Sequence, residues 1–315
     1  MGRKRTLLLL FGLCLSVRAQ EAAEQKAGAG MEEGLPTVEK PWSLTLKTGV
    51  GWDSNPGLFA PNFDIASGDR QDERIYSEIS FSYKVYRKER TTLEIGYQGY
   101  KEWYNHRDEF ALEAHTFPIK YRVDYADWGY ALGFYFTYLE MDGDGVLREY
   151  RLSPSVYWVQ NPTTIAMLYM NLFYRDYLHA RDFNGSEWDI GLMEQFELAS
   201  DTYLRFFCEP GYVDARDNDF RYWRLYLGAS LSVPLLEDVD ATISLGNEIR
   251  SYSHQDDIEG VSRNDNRWIG TVLIRKQVTA HLSLALKYEW MNRGSNIPGF
   301  RYRRETLGLE AILEF

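Results

Sequence analysis

The sequence predicts an all-β chain that closes into a transmembrane, antiparallel, up-and-down β-barrel of about fourteen strands. Three observations lead to this fold class. Apolar and polar residues alternate along segments from Trp42 to Phe315, and short turns alternate with long polar loops between these segments. Aromatic residues lie at the segment ends, where a membrane-spanning barrel carries its interfacial rings.

The amino-terminal residues carry the features of an export signal. A basic start, Arg3 to Arg5, precedes about ten apolar residues, and Ala19 offers a small-residue cleavage site. The apolar run is too short to cross a bilayer as a helix, which needs roughly 20 residues. We therefore predict a signal peptide over residues 1–19, a flexible periplasmic leader over 20–40 and the outer-membrane barrel over 41–315.

The predicted strands are longer than the five or six residues usual in globular sheets. Their length suits the roughly 9–11 residues of a tilted membrane-spanning strand together with its interfacial ends. We predict strands near 42–53, 74–87, 91–103, 111–125, 128–140, 148–159, 163–176, 187–199, 202–214, 221–233, 239–252, 267–278, 281–292 and 302–315.

The connections between these segments alternate in length. Short turns such as Ala126-Asp127 and Ser200-Asp201 alternate with longer polar loops such as "MDGDGVLR" and "SHQDDIEGVSRNDN". Short turns on the periplasmic side and longer loops outside the cell are typical of outer-membrane barrels. The alternation therefore predicts on which side of the membrane each connection lies.

The apolar parity predicts which face of each strand meets lipid. In "LSLALKYEW" the residues from Leu282 to Trp290 share one face at every second position, and polar residues share the other. A β-sandwich would show the same alternation, but it favours shorter strands and does not collect aromatic residues at strand ends. Tryptophans of the apolar parity lie near strand ends, as two interfacial rings require: Trp42, Trp52, Trp128, Trp158, Trp188, Trp223, Trp268 and Trp290.

The last segment, "LGLEAILEF", is amphipathic up to Phe315, with Leu307, Leu309, Ala311 and Leu313 on the same face. This alternation resembles the C-terminal signature of Gram-negative outer-membrane β-barrel proteins. The resemblance implies an outer-membrane location, contact with outer-membrane lipid and lipopolysaccharide, and recognition of the terminal strand by the barrel assembly machinery. It marks Phe315 as the assembly signal and leaves the oligomeric state open.

A second resemblance lies in "GVGWDSNPG", Gly49 to Gly57. It is similar to the first-strand segment of the barrel of surface lipoprotein assembly modifiers. Those proteins carry a large periplasmic helical-repeat domain before the barrel, where we expect only the leader here. The same residues also form a good turn-starting sequence at the end of a strand.

Charge and residue spacing exclude several functions. The formal net charge is −11, and removal of residues 1–19 brings it to about −15, which opposes nucleic-acid binding. Ser253 and His254 are adjacent on a predicted strand and point to opposite faces, so they cannot act as nucleophile and base. Asp142-Gly143-Asp144-Gly145 lacks the later ligands of a calcium loop and indicates a hairpin turn. The five histidines have no metal-binding spacing, and we predict no cofactor, no metal site and no enzyme activity.

The alternate strand positions that are predicted to face the barrel interior carry many charged and tyrosine side chains. We predict that the channel is lined by Lys47, Glu78, Lys84, Glu94, Lys120, Arg122, Arg151, Arg175, Arg205, Arg224, Glu248, Arg250, Arg275, Lys287, Glu289, Arg304 and Glu310, with Asp189, Glu209 and Asp240 of the same parity. The tyrosines of this parity are Tyr76, Tyr86, Tyr100, Tyr135, Tyr157, Tyr169, Tyr203, Tyr222 and Tyr226. A tyrosine can cover the face of a sugar ring and hydrogen-bond its edge. The alternative is that tyrosine simply suits strands and fills a barrel of this width.

These features favour a porin-like channel for passive passage of small hydrophilic solutes, including saccharides. The first long loop contains Phe59, Phe63 and Ile65, which we expect either to fold over the mouth and narrow the pore or to contact lipopolysaccharide or a neighbouring subunit. The alternative is a barrel that serves a polysaccharide or lipoprotein export or surface-assembly system. A structural or adhesive barrel is a third hypothesis.

Overall fold

The structure is a computed structural model, and it describes residues 40–56, 71–255 and 260–315. Within these ranges, fourteen strands form one closed antiparallel barrel in which sequential strands pair and β14 pairs with β1, so the predicted fold class is confirmed. The strands are β1 (Trp42–Asp53), β2 (Asp72–Lys88), β3 (Thr91–Tyr104), β4 (Leu112–Asp124), β5 (Trp128–Met141), β6 (Asp144–Asn161), β7 (Thr164–Tyr177), β8 (Gly185–Ala199), β9 (Thr202–Ala215), β10 (Tyr222–Leu236), β11 (Val239–Gln255), β12 (Ser262–Gln277), β13 (Leu282–Ser295) and β14 (Tyr302–Glu314).

Helical structure in the described residues is confined to four one-turn 3-10 segments, each at the loop end of the barrel. They are Asp108–Phe110, Arg181–Phe183, Asn218–Phe220 and Pro298–Phe300. No helix in the described residues is long and apolar enough to cross a membrane.

Several strands extend further towards the loop end than the sequence predicts. β6 begins at Asp144, β12 begins at Ser262 and β13 ends at Ser295. The predicted loop "MDGDGVLR" is instead a two-residue hairpin turn, with positive φ at Asp142 (50°) and Gly143 (76°). Polar residues continue the ladder at this end, so the apolar alternation stops before the strands do.

The outer face of the barrel is apolar and carries aromatic rings at both ends. Leu245 and Leu309, at mid-barrel, are 50% and 61% exposed. Trp128 and Trp158 are paired at the turn end, on β5 and β6, and Trp223 contacts Trp188 near the loop end. These four tryptophans therefore lie near strand ends as predicted, whereas the extension of β12 and β13 leaves Trp268 and Trp290 nearer the middle of their strands.

The barrel closes through the pairing of β1 with β14. The Phe315 N–H donates to the Leu44 carbonyl at 3.0 Å, and the Leu44 N–H donates to the Phe315 carbonyl at 3.3 Å. The Phe315 ring stacks on His281 with centroids 5.4 Å apart. Ile312, the apolar residue of inward parity, is buried opposite Lys47. Pairing across the closure thus continues to the last residue.

Candidate functional site: the barrel interior

Strand register puts the predicted lining residues on the inner face of the barrel. Examples of inward register partners are Lys47 with Glu78 and Glu94 with Lys120. Six of the set are buried, namely Arg151, Arg175, Arg224, Glu248, Arg250 and Glu310. The others are half-buried, namely Lys47, Glu78, Lys84, Glu94, Lys120, Arg122, Arg205, Arg275, Lys287, Glu289 and Arg304. Their role as a solute pathway stays a prediction.

The buried members belong to an ion-pair network on the inner wall from β6 to β12, which we call the arginine network. Arg175 on β7 contacts Glu149 at 2.7 Å and also Glu187. Its members are Glu149, Arg175, Glu187, Asp189, Glu209, Arg224, Glu248, Arg250 and Arg267. Because each strand supplies at least one charge, the network joins seven consecutive strands.

Arg224 on β10 is the centre of the arginine network. Its guanidinium contacts Asp189, lies 2.6 Å from Glu209 and lies within 3.6 Å of Glu248. All of these groups are almost fully buried. A buried charge is tolerated only when it is paired and hydrogen-bonded, so each member depends on the others. The main role of these side chains is therefore to stabilise the barrel wall.

A second buried cluster lies where β14, β1, β2 and β3 meet. Asp53 accepts bonds from the Arg304 guanidinium and from the Tyr104 hydroxyl, the latter at 3.2 Å. Glu102 pairs with Arg74 at 2.8 Å and also accepts from Tyr104 at 3.2 Å. Asp53 and Glu102 have no solvent exposure. Buried ion pairs, as well as backbone hydrogen bonds, therefore hold the strands together where the barrel closes.

The half of the barrel nearer the short turns has a more solvated interior. Its pairs, such as Lys47 with Glu78 at 3.0 Å and Arg122 with Asp124 at 2.6 Å, leave at least one side chain more than a third exposed. Ion pairs of this kind contribute little to stability. Inward charges in this half are therefore more accessible to solvent.

Inward tyrosines lie across glycines of the neighbouring strand. Tyr76 on β2 covers Gly49 on β1, and its hydroxyl donates to Glu310 on β14 at 2.6 Å. A Cβ at Gly49 would overlap the tyrosine ring, so the contact requires glycine. The same arrangement recurs in Tyr157–Gly129–Asp124 (2.6 Å) and Tyr169–Gly191–Glu209 (2.9 Å). We call these three sets the tyrosine–glycine–carboxylate bridges.

Burial limits what some of the inward tyrosines can contact. Tyr76 and Tyr135 are each only 5% exposed, so their faces are not free to cover a sugar ring. Tyr86 lies on the outer face, contrary to the parity prediction, because a bulge between Lys84 and Tyr86 shifts the register by one residue. Tyrosine here contributes mainly to the wall.

An apolar cluster lies at the loop end of the interior on the side of β3 to β7. This mouth cluster contains Tyr104, Leu112, Leu139, Met141, Val146, Leu147 and Tyr177, with Phe110 and Phe183 packed against it. Phe110 and Phe183 come from 3-10 turns, so two of the outer connections fold inward over the barrel. Phe183 also contacts Phe220 with ring centroids 4.0 Å apart. The predicted constriction by Phe59, Phe63 and Ile65 lies outside the described residues.

Several interior charges were missed by the sequence analysis. Arg263 and Asp265 precede the predicted start of strand 12, and Arg293 follows the predicted end of strand 13. Arg263 and Arg293 both contact the buried Asp265 carboxylate. Glu149 and Glu187 lie at the same alternate positions as the predicted inward residues of their strands, so this alternation could have identified them as interior charges.

The motifs that the sequence raised for metal binding and hydrolysis can be located in the described residues. No group of three or more His, Cys, Asp or Glu side chains there could hold a metal ion. Ser253 and His254 are exposed neighbours on β11 and point to opposite faces. Asp142 and Gly143 form the hairpin turn between β5 and β6.

A closed barrel with an apolar outer face, aromatic residues at both ends and a charged interior is a transmembrane β-barrel. Comparison with known proteins places this fold among outer-membrane barrels, although no protein-family model and no curated protein matches the sequence. The outer membrane channel DcaP of Acinetobacter baumannii aligns with a TM-score of 0.51 and 9% identity over 87% of this chain and 96% of its own.

Two further structures are similar to the same extent. An anion-selective porin from Comamonas acidovorans gives a TM-score of 0.50 at 9% identity, and a bacterial polysaccharide outer membrane secretin gives 0.51 at 11%. Each alignment covers 87% of this chain and 98% of the other. The likeness is one of fold, and the fold is that of an outer-membrane porin-like barrel.

Proposed function

We propose that this protein is an outer-membrane channel for passive passage of small hydrophilic solutes, with no enzymatic activity. The observation that carries the proposal is the contrast between the two faces of one closed barrel. The outer face is apolar, while the inner face holds charged and hydroxyl side chains that remain half-exposed towards the turn end. A polar interior of this kind suits a water-filled passage.

The proposed location is the outer membrane of a Gram-negative bacterium, reached after cleavage of the signal peptide. The aromatic residues at both ends of the outer face support this location, since such rings sit at membrane interfaces. Contact with lipopolysaccharide and recognition by the barrel assembly machinery are part of the same proposal. So is the role of Phe315 as the assembly signal.

Saccharides are the finer part of the proposal. Hydroxyl and amide side chains face the interior on many strands and form cross-strand pairs, such as Thr116 with Thr137 at 2.9 Å and Ser232 with Thr242 at 3.0 Å. They can exchange hydrogen bonds with a polyol. The buried positions of Tyr76 and Tyr135 shift the expected recognition from ring stacking to hydrogen bonding.

A second candidate function is export or surface assembly of polysaccharide or lipoprotein. The fold likeness to the polysaccharide outer membrane secretin supports it, together with the resemblance of Gly49 to Gly57 to the barrel of surface lipoprotein assembly modifiers. An export barrel works with periplasmic partners, whereas a passive channel functions alone.

Planar-bilayer recording on the purified, heat-modifiable barrel tests the leading proposal. Stepwise conductance in potassium chloride is the expected result, and a folded barrel without conductance would contradict the channel function. A mild-detergent pull-down from the native membrane is the parallel measurement. A stoichiometric periplasmic partner, together with no conductance, would favour export.

A further inference from the structure

Arg205 on β9 differs from most arginines of the inner wall. Most inward arginines contact carboxylates, as Arg122 does with Asp124 and Arg304 does with Asp53. The Arg205 Nε instead donates to the neutral Gln195 Oε1 at 2.8 Å. No carboxylate in the described residues forms an ion pair with Arg205, and its two terminal nitrogens have no hydrogen-bond partner there.

The surroundings of Arg205 are neutral and rich in hydroxyl groups. Its register partners are Gln195 on β8 and Ser230 on β10, and the row continues through Ser244 on β11 to Thr271 on β12. Arg205 itself is half-buried. Glu197, two positions from Gln195 towards the turn end, pairs in register with Tyr203 rather than with Arg205.

This arrangement leaves a charged fork open to the interior. The guanidinium presents parallel N–H groups whose geometry matches both oxygens of a carboxylate. Because Arg205 is half-buried, the attraction to an anion is stronger than it would be in bulk water. Ser244 and Thr271, further along the same row, are half-buried and can exchange hydrogen bonds with the hydroxyl groups of the same molecule.

We propose that Arg205, held in place by Gln195, is a subsite that binds the carboxylate group of a hydroxylated solute, of the class of sugar acids. The inference rests on the proposed channel function and narrows its solute class. Gln195 holds the inner edge of the guanidinium and directs the free edge towards the interior. Gln195 and Ser230 are themselves buried, so Arg205 alone presents an open edge to the solute.

The experiment compares galacturonate with galactose as probes of the folded full-length barrel. Their dissociation constants are measured by ligand-detected NMR in detergent and, separately, by block of the single-channel current. We expect galacturonate to bind about 10-fold more tightly than galactose, as a charge-assisted bidentate hydrogen bond allows. R205Q should abolish this preference, and R205K should keep part of it because charge remains while the fork is lost.

R303Q is the matched control, since Arg303 lies on the outer face beside Glu305 and its loss changes the net charge equally. It should bind galacturonate as the wild type does. Equal affinity for the two sugars in the wild type, or unchanged galacturonate affinity in a folded R205Q, would overturn the subsite. A barrel that binds galacturonate through Arg205 but carries no current would retain the subsite and refute the channel.

Discussion

The Tyr169 hydroxyl on β7 donates to the Glu209 carboxylate on β9, and the ring between them lies across Gly191 on β8. The tyrosine therefore joins three strands while lying flat against the wall. A glycine at the middle strand makes this possible, because any larger residue would lift the ring into the interior. Each bridge therefore places a large side chain along the wall and links three strands by one hydrogen bond.

The first prediction concerns the close approach at Gly191. Gly191→Ala should lower the free energy of unfolding by about 1–3 kcal/mol, because the added Cβ would overlap the Tyr169 ring. Gly270→Ala is the matched control on the outer face, where a Cβ would lie 3.4 Å from the Trp290 ring in ordinary contact. Urea unfolding followed by tryptophan fluorescence measures both variants. Equal stabilities would show that the glycine is not required.

The second prediction concerns the arginine network. Arg224→Met should destabilise the barrel by about 3–5 kcal/mol, because it leaves buried carboxylates such as Asp189 and Glu209 without their shared guanidinium. Arg303→Met on the outer face should have little effect, since exposed ion pairs contribute little. The urea midpoint in lipid vesicles is the measurement. A similar small change in both variants would mean that water solvates the network.

The third prediction uses the native thiol to test which strand residues face lipid and which face the interior. Cys208 is free and exposed on the outer face, so lipid should shield it from a membrane-impermeant maleimide in intact vesicles. In a Cys208→Ala background, Phe207→Cys should react, because position 207 faces the solvated interior. Both thiols should react after unfolding in urea. Rapid labelling of Cys208 in the folded barrel would contradict the assigned faces.

The fourth prediction concerns the mouth cluster. The Phe110→Ala and Phe183→Ala double variant should raise single-channel conductance, because it removes two rings that outer connections fold over the interior. Deletion of residues 58–65 tests the constriction expected from the sequence, and its effect should add to that of the double variant. Phe134→Ala, on the outer face, is the control. Unchanged conductance in the folded double variant would place the narrowest point elsewhere.

The fifth prediction concerns the barrel closure. Deleting Phe315, or appending a short polar tail to it, should reduce the heat-modifiable barrel in outer-membrane fractions. The backbone pairing with Leu44 and the stacking on His281 give Phe315 a role in closure as well as the proposed role in recognition. Refolding of the deletion variant from urea separates the two roles, because it requires no assembly machinery. Wild-type membrane levels after both changes would remove the proposed signal.

The sequence by itself determined the barrel, the number of its strands and the face of nearly every strand residue. These follow from a period of two, which is a local property: Trp223 and Leu225 face outward because Arg224 between them faces inward. Where a local irregularity breaks the period, the prediction fails, as at Tyr86 beyond its bulge. The strand extensions that carry Arg263 and Arg293 lack apolar alternation and were missed for the same reason.

Only the tertiary structure decided which inward residues meet. Arg224 contacts acids from β8, β9 and β11, and Tyr76 spans β1 to reach Glu310 on β14, 234 residues away in the chain. Such contacts depend on the register between strands, which a period of two leaves free to slide by pairs of residues. The same register leaves Arg205 beside Gln195 and Ser230 rather than beside a carboxylate. The face to which a side chain points is determined within one strand, whereas its contact partners are determined by the register of the closed sheet.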